Sequence, residues 1–238
     1  MAALSVWLVS VLCLFIGQSL AIGLYVFARY GNLTTHVLNR ALKEDPIVIL
    51  ASLIAVIPAH LLTLLVAWAI VTDVGERSFW RALGWEWPAR MGPWSSAALA
   101  VVLLIVGGVL SNLLGDRTTE LDKIIASSLA ARITVAVLAT VTAPLVEEIV
   151  YRGVLYPALR RMIGRAGAVV LVSTLFASIH FAQYSDNWGV LLTIALLSFA
   201  LTFVRAWTGR LLPCYFIHLV FNGLQAVFLI YSGTLPRS

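Results

Sequence analysis

Residues 143–152 read Ala143-Pro144-Leu145-Val146-Glu147-Glu148-Ile149-Val150-Tyr151-Arg152, two adjacent carboxylates and an arginine in a stretch otherwise apolar enough to lie within a membrane. Charged side chains are costly at that depth, and those that occur there mark function far more often than decoration. The weight of this decapeptide therefore rests on whether the chain around it spans a bilayer.

Composition answers that first question. Of 238 residues, 61% are hydrophobic and 11% charged, and the mean hydropathy is +0.97; a soluble domain is about 45–50% apolar and about 25% charged. A hydrocarbon core of ~30 Å takes about 20 helical residues to cross. Apolar runs of that order occur near 4–28, 47–71, 96–115, 130–150, 166–183, 189–206 and 211–231. The expected fold class is all-α, a polytopic transmembrane helical bundle of seven to eight spans. The first run lacks the basic n-region of a signal peptide and outlasts its ~7–15-residue apolar region, so it is expected to stay as an anchor. A multi-pass protein of a bacterial plasma membrane fits this size and the lack of sorting signals.

Charge and cysteine content exclude more than they identify. Cys13 and Cys214 both fall in apolar runs, without the C-x-x-C spacing of a redox or zinc site, and read as small core residues. The net charge of +5 would suggest nucleic acid in a soluble chain, but no basic stripe with interleaved aromatics is present. The basic residues sit in short loops and at helix ends, where anionic lipid attracts them. Loops near 72–95, 151–165 and 206–210 hold Arg77, Arg81, Arg90, Arg160, Arg161, Arg165 and Arg210, against Arg29, Arg40, Lys43, Arg117, Lys123 and Arg237 on the other side. This small bias favours the Arg160-Arg161 end on the cytoplasmic side.

One integrated membrane domain is expected, with two parts. Residues 1–125 form N-terminal transmembrane helices and a Trp-rich segment between Thr72 and Trp94, whose Trp80, Trp85, Trp87 and Trp94 suit the headgroup level. Residues 126–238 form the helical core that carries the intramembrane ionisable groups. On a helix, residues four apart face one another, so Glu148 can pair with Arg152 while Glu147 points about 100° away and is left for other work. Pro144 removes a backbone hydrogen bond and either starts a helix or kinks one. Such a break can admit water. The plainer alternative is that both carboxylates tie helices together through arginines.

Two further motifs follow. Phe176-Ala177-Ser178-Ile179-His180 places a histidine at the end of an apolar run. If the chain turns at Ile163, Gly164 and Arg165, then Glu147 and His180 each lie roughly 15 residues, or about 22–24 Å, from the turn. An antiparallel hairpin then sets them at one depth, where carboxylate and imidazole could share a water. His218-Leu219-Val220-Phe221-Asn222 puts an imidazole and a carboxamide on one face of the last span. Two such donors can converge on an oxyanion, or simply bond to other helices. His218 lies only about 12 Å by helical rise from Arg210, so the last span must dip or tilt to bring it level with Glu147. His60, after Pro58, reads as a satisfied histidine in a kinked helix, Arg132 as a snorkelling arginine, and Asp186 and Asn187 as turn residues.

Taken in order, Glu147-Glu148-x-x-x-Arg152, Phe176-x-x-x-His180 and His218-x-x-x-Asn222 resemble the signature of the CPBP family of intramembrane proteases, which includes the type II CAAX prenyl endopeptidases and bacterial Abi-type proteins. The resemblance covers roughly residues 130–230, and Pro144 and Arg152-Gly153 fit it; Tyr151 stands where the family often has Phe. It implies that Glu147 and His180 activate a water for peptide hydrolysis, that His218 and Asn222 stabilise the oxyanion, and that Glu148 with Arg152 holds the site together. It leaves metal dependence open. Glu147, His180 and His218 make a possible zinc set of two histidines and a carboxylate, although the H-E-x-x-H spacing of common zinc proteases is absent. The function expected is an intramembrane endopeptidase acting on a membrane-anchored protein or peptide, a prenylated CAAX-type protein included, with the lipid bilayer as its other partner and no nucleic acid; the sequence leaves the oligomeric state open. The alternative is a non-catalytic protein of the same fold in bacteriocin immunity or peptide sensing. A transporter would show internal symmetry, whereas here the polar residues concentrate in one half.

Overall fold

The structure, a computed structural model, describes residues 2–115 and 118–232, so Arg117 and Arg237 lie outside the described residues. All regular elements described are helices: α1 (Ala2–Tyr30), α2 (Thr35–Glu44), α3 (Pro46–Ile54), α4 (Val56–Thr72), α5 (Phe79–Leu83), α6 (Pro93–Leu114), α7 (Glu120–Ser127) and α8 (Leu129–Val137). A π-helical segment π1 (Leu138–Thr142), α9 (Ala143–Glu147), a second π-helical segment π2 (Glu148–Leu155), α10 (Tyr156–Tyr184), α11 (Trp188–Thr208) and α12 (Leu212–Ser232) complete the chain. The expected all-α class is what is found.

Among the described residues, six continuous helical stretches are long and apolar enough to cross a membrane: Ala3–Tyr30, Pro46–Thr72, Pro93–Leu114, Leu129–Tyr184, Trp188–Thr208 and Leu212–Tyr231. The fourth, at 56 residues, would extend ~84 Å if straight, far beyond one bilayer. It doubles back instead at Gly164 (φ 76°, ψ 178°), a backbone region essentially reserved for glycine. The six stretches thus supply seven passes, and the turn falls at the tripeptide that the sequence marked. Tyr151 and Phe176 meet across this hairpin with ring centroids 5.1 Å apart and planes at 74°. Counting outward from that contact by equal steps places Glu147 opposite His180 at one depth.

Packing distributes around the hairpin. Its buried Ile149, Leu155, Val172 and Phe176 form one apolar cluster with Val6 of α1 and Ala67 of α4. A second cluster joins Ala100 and Leu103 of α6, Leu197 and Leu201 of α11, and Ile217 and Phe221 of α12. The α6–α11 crossing is close: a Cβ at Gly189 would stand 2.6 Å from Leu110 O, and Thr193 Oγ1 donates to Gly107 O at 3.3 Å. Small residues that admit a neighbouring backbone are how helices associate where lipid removes the hydrophobic drive. Outward-facing Phe15, Leu24, Ile105 and Phe203 are exposed, as a lipid-facing surface requires.

The Trp-rich segment does more than line an interface. Trp94 is exposed, but Trp80 packs on Trp85 (4.8 Å), Trp85 on Tyr215 (5.0 Å) and Trp87 on Phe216 (5.4 Å). Leu211 N donates to Gly84 O at 2.9 Å, and Glu86 pairs with Arg210. α12 therefore starts beneath this loop rather than at the edge of the bundle, which is how His218, in its second turn, comes level with Glu147. Asn187 caps α11 by accepting from Val190 N, and Cys214 is buried. Arg132 is half-buried, with its Nε unpartnered among the described residues.

Gly164→Ala should cost on the order of 1–3 kcal/mol through forced positive φ, whereas Gly23→Ala, in regular helix with open space around the added methyl, should be neutral or slightly stabilising. Thermal midpoints of the purified variants in detergent compare the two; equal effects would contradict a glycine-dependent hairpin.

Candidate active site

The site is built where two prolines interrupt one long helix. Over π1 the backbone bonds in the i→i−5 register, with Ala143 N donating to Leu138 O. The next donor in that register would be residue 144, and Pro144 has none. The carbonyl it leaves free is Ala139 O, and Asn222 Nδ2 donates to it at 2.8 Å. The same device recurs one segment later. π2 closes with Tyr156 N donating to Tyr151 O, Pro157 cannot follow, and the stranded Arg152 O is taken by Arg205 Nε at 3.0 Å. Side chains of α12 and α11 thus replace the two backbone bonds that proline removes. Between these repairs sit Glu147 and Glu148.

The two glutamates have opposite environments. Glu148 and Arg152 have side chains 0% exposed, and Arg152 Nη1 donates to Glu148 Oε1 at 2.9 Å. The rest of the guanidinium is also satisfied: Nε donates to Thr202 Oγ1 (3.1 Å), and Nη2 to Ser198 O (3.0 Å) and Ser198 Oγ (2.6 Å). Its Cζ lies 4.7 Å from the Phe176 ring centroid, a cation–π distance. Glu148 Oε1 also bonds His218 Nδ1 at 2.9 Å, while its Oε2 is buried without a partner among the described residues. Glu147, one residue earlier, keeps 22% of its side chain exposed, and its Oε2 lies 3.7 Å from His218 Nε2. Glu148 is thus paired with Arg152, and Glu147 turns away from that pair.

The histidines are oriented by their other nitrogens. His180 Nδ1 lies 2.8 Å from Phe176 O; since a carbonyl only accepts, Nδ1 carries the hydrogen and Nε2 of the neutral ring is left as a base. His218 Nδ1 faces a carboxylate in the same way, so Nε2 toward Glu147 carries a hydrogen only in the doubly protonated ring. The Phe176 ring stands between them, 4.8 Å from the His180 ring and 6.1 Å from that of His218. Tyr184 stacks on the far face of His180 at 6.5 Å. Among the described residues no three His, Cys, Asp or Glu side chains converge closely enough to hold a metal ion. Glu147, His180 and His218 in this arrangement do not form such a group.

Several participants were not singled out from the sequence. Ser198, Thr202 and Arg205 recur at four- and three-residue spacing on otherwise apolar α11, a one-face polar stripe that helical periodicity could have flagged. Phe176 is the hub that touches Tyr151, Arg152, His180 and His218. Tyr151 has a use for its hydroxyl: it accepts from Trp7 Nε1 at 2.9 Å, which ties α1 to the motif. A Cβ at Gly153 would stand 2.8 Å from Leu83 Cδ2, so this glycine makes room for α5. His60, buried in α4, bonds Thr142 Oγ1 through Nδ1 at 3.1 Å, steadying π1 from the other side.

Breaking one member of a buried pair strands the other, at about 3–5 kcal/mol, whereas replacing both by apolar residues is often near neutral. Arg152→Met should accordingly lose thermal stability heavily, and Arg152→Met with Glu148→Leu should regain a large part of it. Reversible unfolding of both variants in mixed micelles measures the recovery; a double variant as unstable as the single would contradict the pairing.

Residues 128–224 match the family model described as Rce1-like, type II CAAX prenyl endopeptidase Rce1-like. No curated protein matches the chain, and no solved structure does. Every residue of the three motifs, from Glu147 to Asn222, falls inside the matched range, and over that range this multi-pass membrane protein is similar to the Rce1-like type II CAAX prenyl endopeptidases, a protease family.

Proposed function

We propose that the protein is an intramembrane endopeptidase in which Glu147 and His180 activate water against a peptide bond of a membrane-anchored protein or peptide. The observation that carries this reading is the contrast between the two neighbouring glutamates. Glu148 is buried and committed to Arg152 and His218, while Glu147 is partly open and, among the described residues, holds only a long contact to His218 Nε2. A carboxylate left accessible at membrane depth, level with an imidazole whose Nε2 is unprotonated, is suited to general-base work.

The chemistry assigned to these groups balances as an ordinary hydrolysis. A water held between Glu147 and His180 Nε2 gives a proton to Glu147 as its oxygen adds to the scissile carbonyl carbon. The same proton passes to the amide nitrogen as the carbon–nitrogen bond breaks, leaving a carboxylic acid and an amine; the amine then takes the acid's remaining proton, giving a carboxylate and an ammonium. Asn222 has one Nδ2 hydrogen committed to Ala139 O and a second that can face the developing oxyanion. His218 can contribute a donor from Nε2 only in its doubly protonated form. Removal of one oxyanion donor typically lowers kcat by about 10²–10³. The family match and the membrane setting support a membrane-anchored protein or peptide as substrate. A prenylated C-terminus is the finer reading, suggested by the family description alone.

The expected outcome is that Glu147→Ala and His180→Ala each abolish cleavage of a labelled membrane-anchored peptide library in detergent, with insertion and yield unchanged. A chelator added to the wild type separates direct carboxylate activation, which it leaves intact, from a metal-dependent reaction, which it stops. Retained turnover in either variant would remove this mechanism, and binding without turnover by wild type and variants alike would favour a peptide-binding role in immunity or sensing.

A further inference from the structure

A cavity of about 390 Å³ opens at the turn end of the hairpin, away from Glu147, and is lined by Tyr156, Pro157, Arg160, Arg161, Arg205 and Gly209. Three arginines line it and none of the lining residues is acidic. Arg160 and Arg161 are exposed and take part in no ion pair among the described residues. The neighbouring Arg210 has its charge met by Glu86. Arg205 is 7% exposed; it spends Nε on Arg152 O and Nη1 on Gly209 O, leaving Nη2 without a protein partner among the described residues. Tyr156 is 2% exposed, and its hydroxyl is buried with no hydrogen-bond partner among the described residues. A buried hydroxyl left unsatisfied costs about 1–3 kcal/mol, and one placed beside uncompensated arginines is matched to an acceptor that the protein itself does not provide.

We infer that this cavity is a binding site for a phosphate-bearing anion, with Arg160, Arg161 and Arg205 supplying charge and the Tyr156 hydroxyl a hydrogen bond. Guanidinium forks pair with phosphate oxygens in bidentate geometry. Basic pockets between transmembrane helices are recognised seats for lipid headgroups. Exposed Met162 and Ile163, immediately after the arginine pair, offer an apolar surface for acyl chains beside the phosphate. The same chemistry would hold free phosphate. The site is also wired to the catalytic region: Arg205 bonds the carbonyl of Arg152, and Arg152 bonds Glu148. Occupancy fixes the guanidinium that repairs π2, so the ligand should stabilise the fold by mass action.

The test uses the full chain in detergent, titrated with phosphatidylglycerol, with phosphatidylcholine of the same acyl chains, or with inorganic phosphate, and read as the shift in thermal midpoint. Arg160→Ala with Arg161→Ala removes two exposed charges without touching the core, and Tyr156→Phe keeps the ring and removes only the hydroxyl. A shift with phosphatidylglycerol that exceeds phosphatidylcholine, and whose apparent affinity falls about tenfold or more in the double arginine variant, supports a lipid headgroup as ligand. Tyr156→Phe should weaken the same response by a smaller factor. A shift with inorganic phosphate alone, lost in the same variants, supports the site with a soluble anion as its ligand. Equal responses of wild type and the double arginine variant, or no preference for either phosphate anion over phosphatidylcholine, would overturn the proposal. None of these substitutions touches Glu147 or His180, so the result stands apart from whether the protein cleaves peptides.

Discussion

The buried Glu148–Arg152 pair is the constraint around which the rest of the site is arranged. Removing two charges from water is costly, and attraction between them offsets this only when the remaining donors are also satisfied. Arg152 meets that condition with Thr202, Ser198 and the face of Phe176, and Glu148 with His218. Four helical segments are drawn together by one carboxylate and one guanidinium: π2, the returning arm of the hairpin, α11 and α12. The geometry left over for Glu147 follows from this. Its neighbour fixes the helix rotation so that Glu147 faces the other way, toward the opening and His218 Nε2.

Two prolines explain why the helix carrying the glutamates is wound in a π register on either side of them. A proline in a continuous transmembrane helix leaves a carbonyl without a donor, and lipid offers no water to satisfy it. Here each stranded carbonyl is met by a side chain from a different helix, Ala139 O by Asn222 and Arg152 O by Arg205. Asn222 therefore has a structural duty beside any part in oxyanion stabilisation. π segments of this kind recur at functional sites because they displace side chains from regular helical positions. The second such stretch begins at Glu148, directly after Glu147 ends α9.

Much of this was legible in the sequence, for identifiable reasons. The apolar runs are separated by short polar breaks, so the bundle follows from length and hydropathy. The hairpin follows from Ile163-Gly164-Arg165 between two such runs, and the Tyr151–Phe176 contact shows its two arms packed on one another. The Glu148–Arg152 pair followed from i, i+4 spacing alone. The partners that arrive from distant helices were not legible: Glu148 with His218, Asn222 with Ala139, and Tyr151 with Trp7 depend on helix rotation and depth that no local pattern encodes. The level of His218 was an open discrepancy because the Trp-rich segment read as an interfacial belt; only its packing on Tyr215 and Phe216 shows α12 starting beneath it. The π register was hidden because a 3.6-residue periodicity looks nearly the same across a single inserted residue.

The central claim is that adjacent glutamates of identical chemistry divide into one that holds the fold and one that acts. It is tested most directly by making the isosteric changes Glu147→Gln and Glu148→Gln and measuring, on the same preparations, both the unfolding midpoint and the turnover of a membrane-anchored peptide. The account predicts crossed results: Glu147→Gln keeps the wild-type midpoint and loses turnover, whereas Glu148→Gln, which leaves the Arg152 charge unpaired in the core, lowers the midpoint markedly. Parallel behaviour of the two variants, with the same loss in both readouts, would contradict the division of roles.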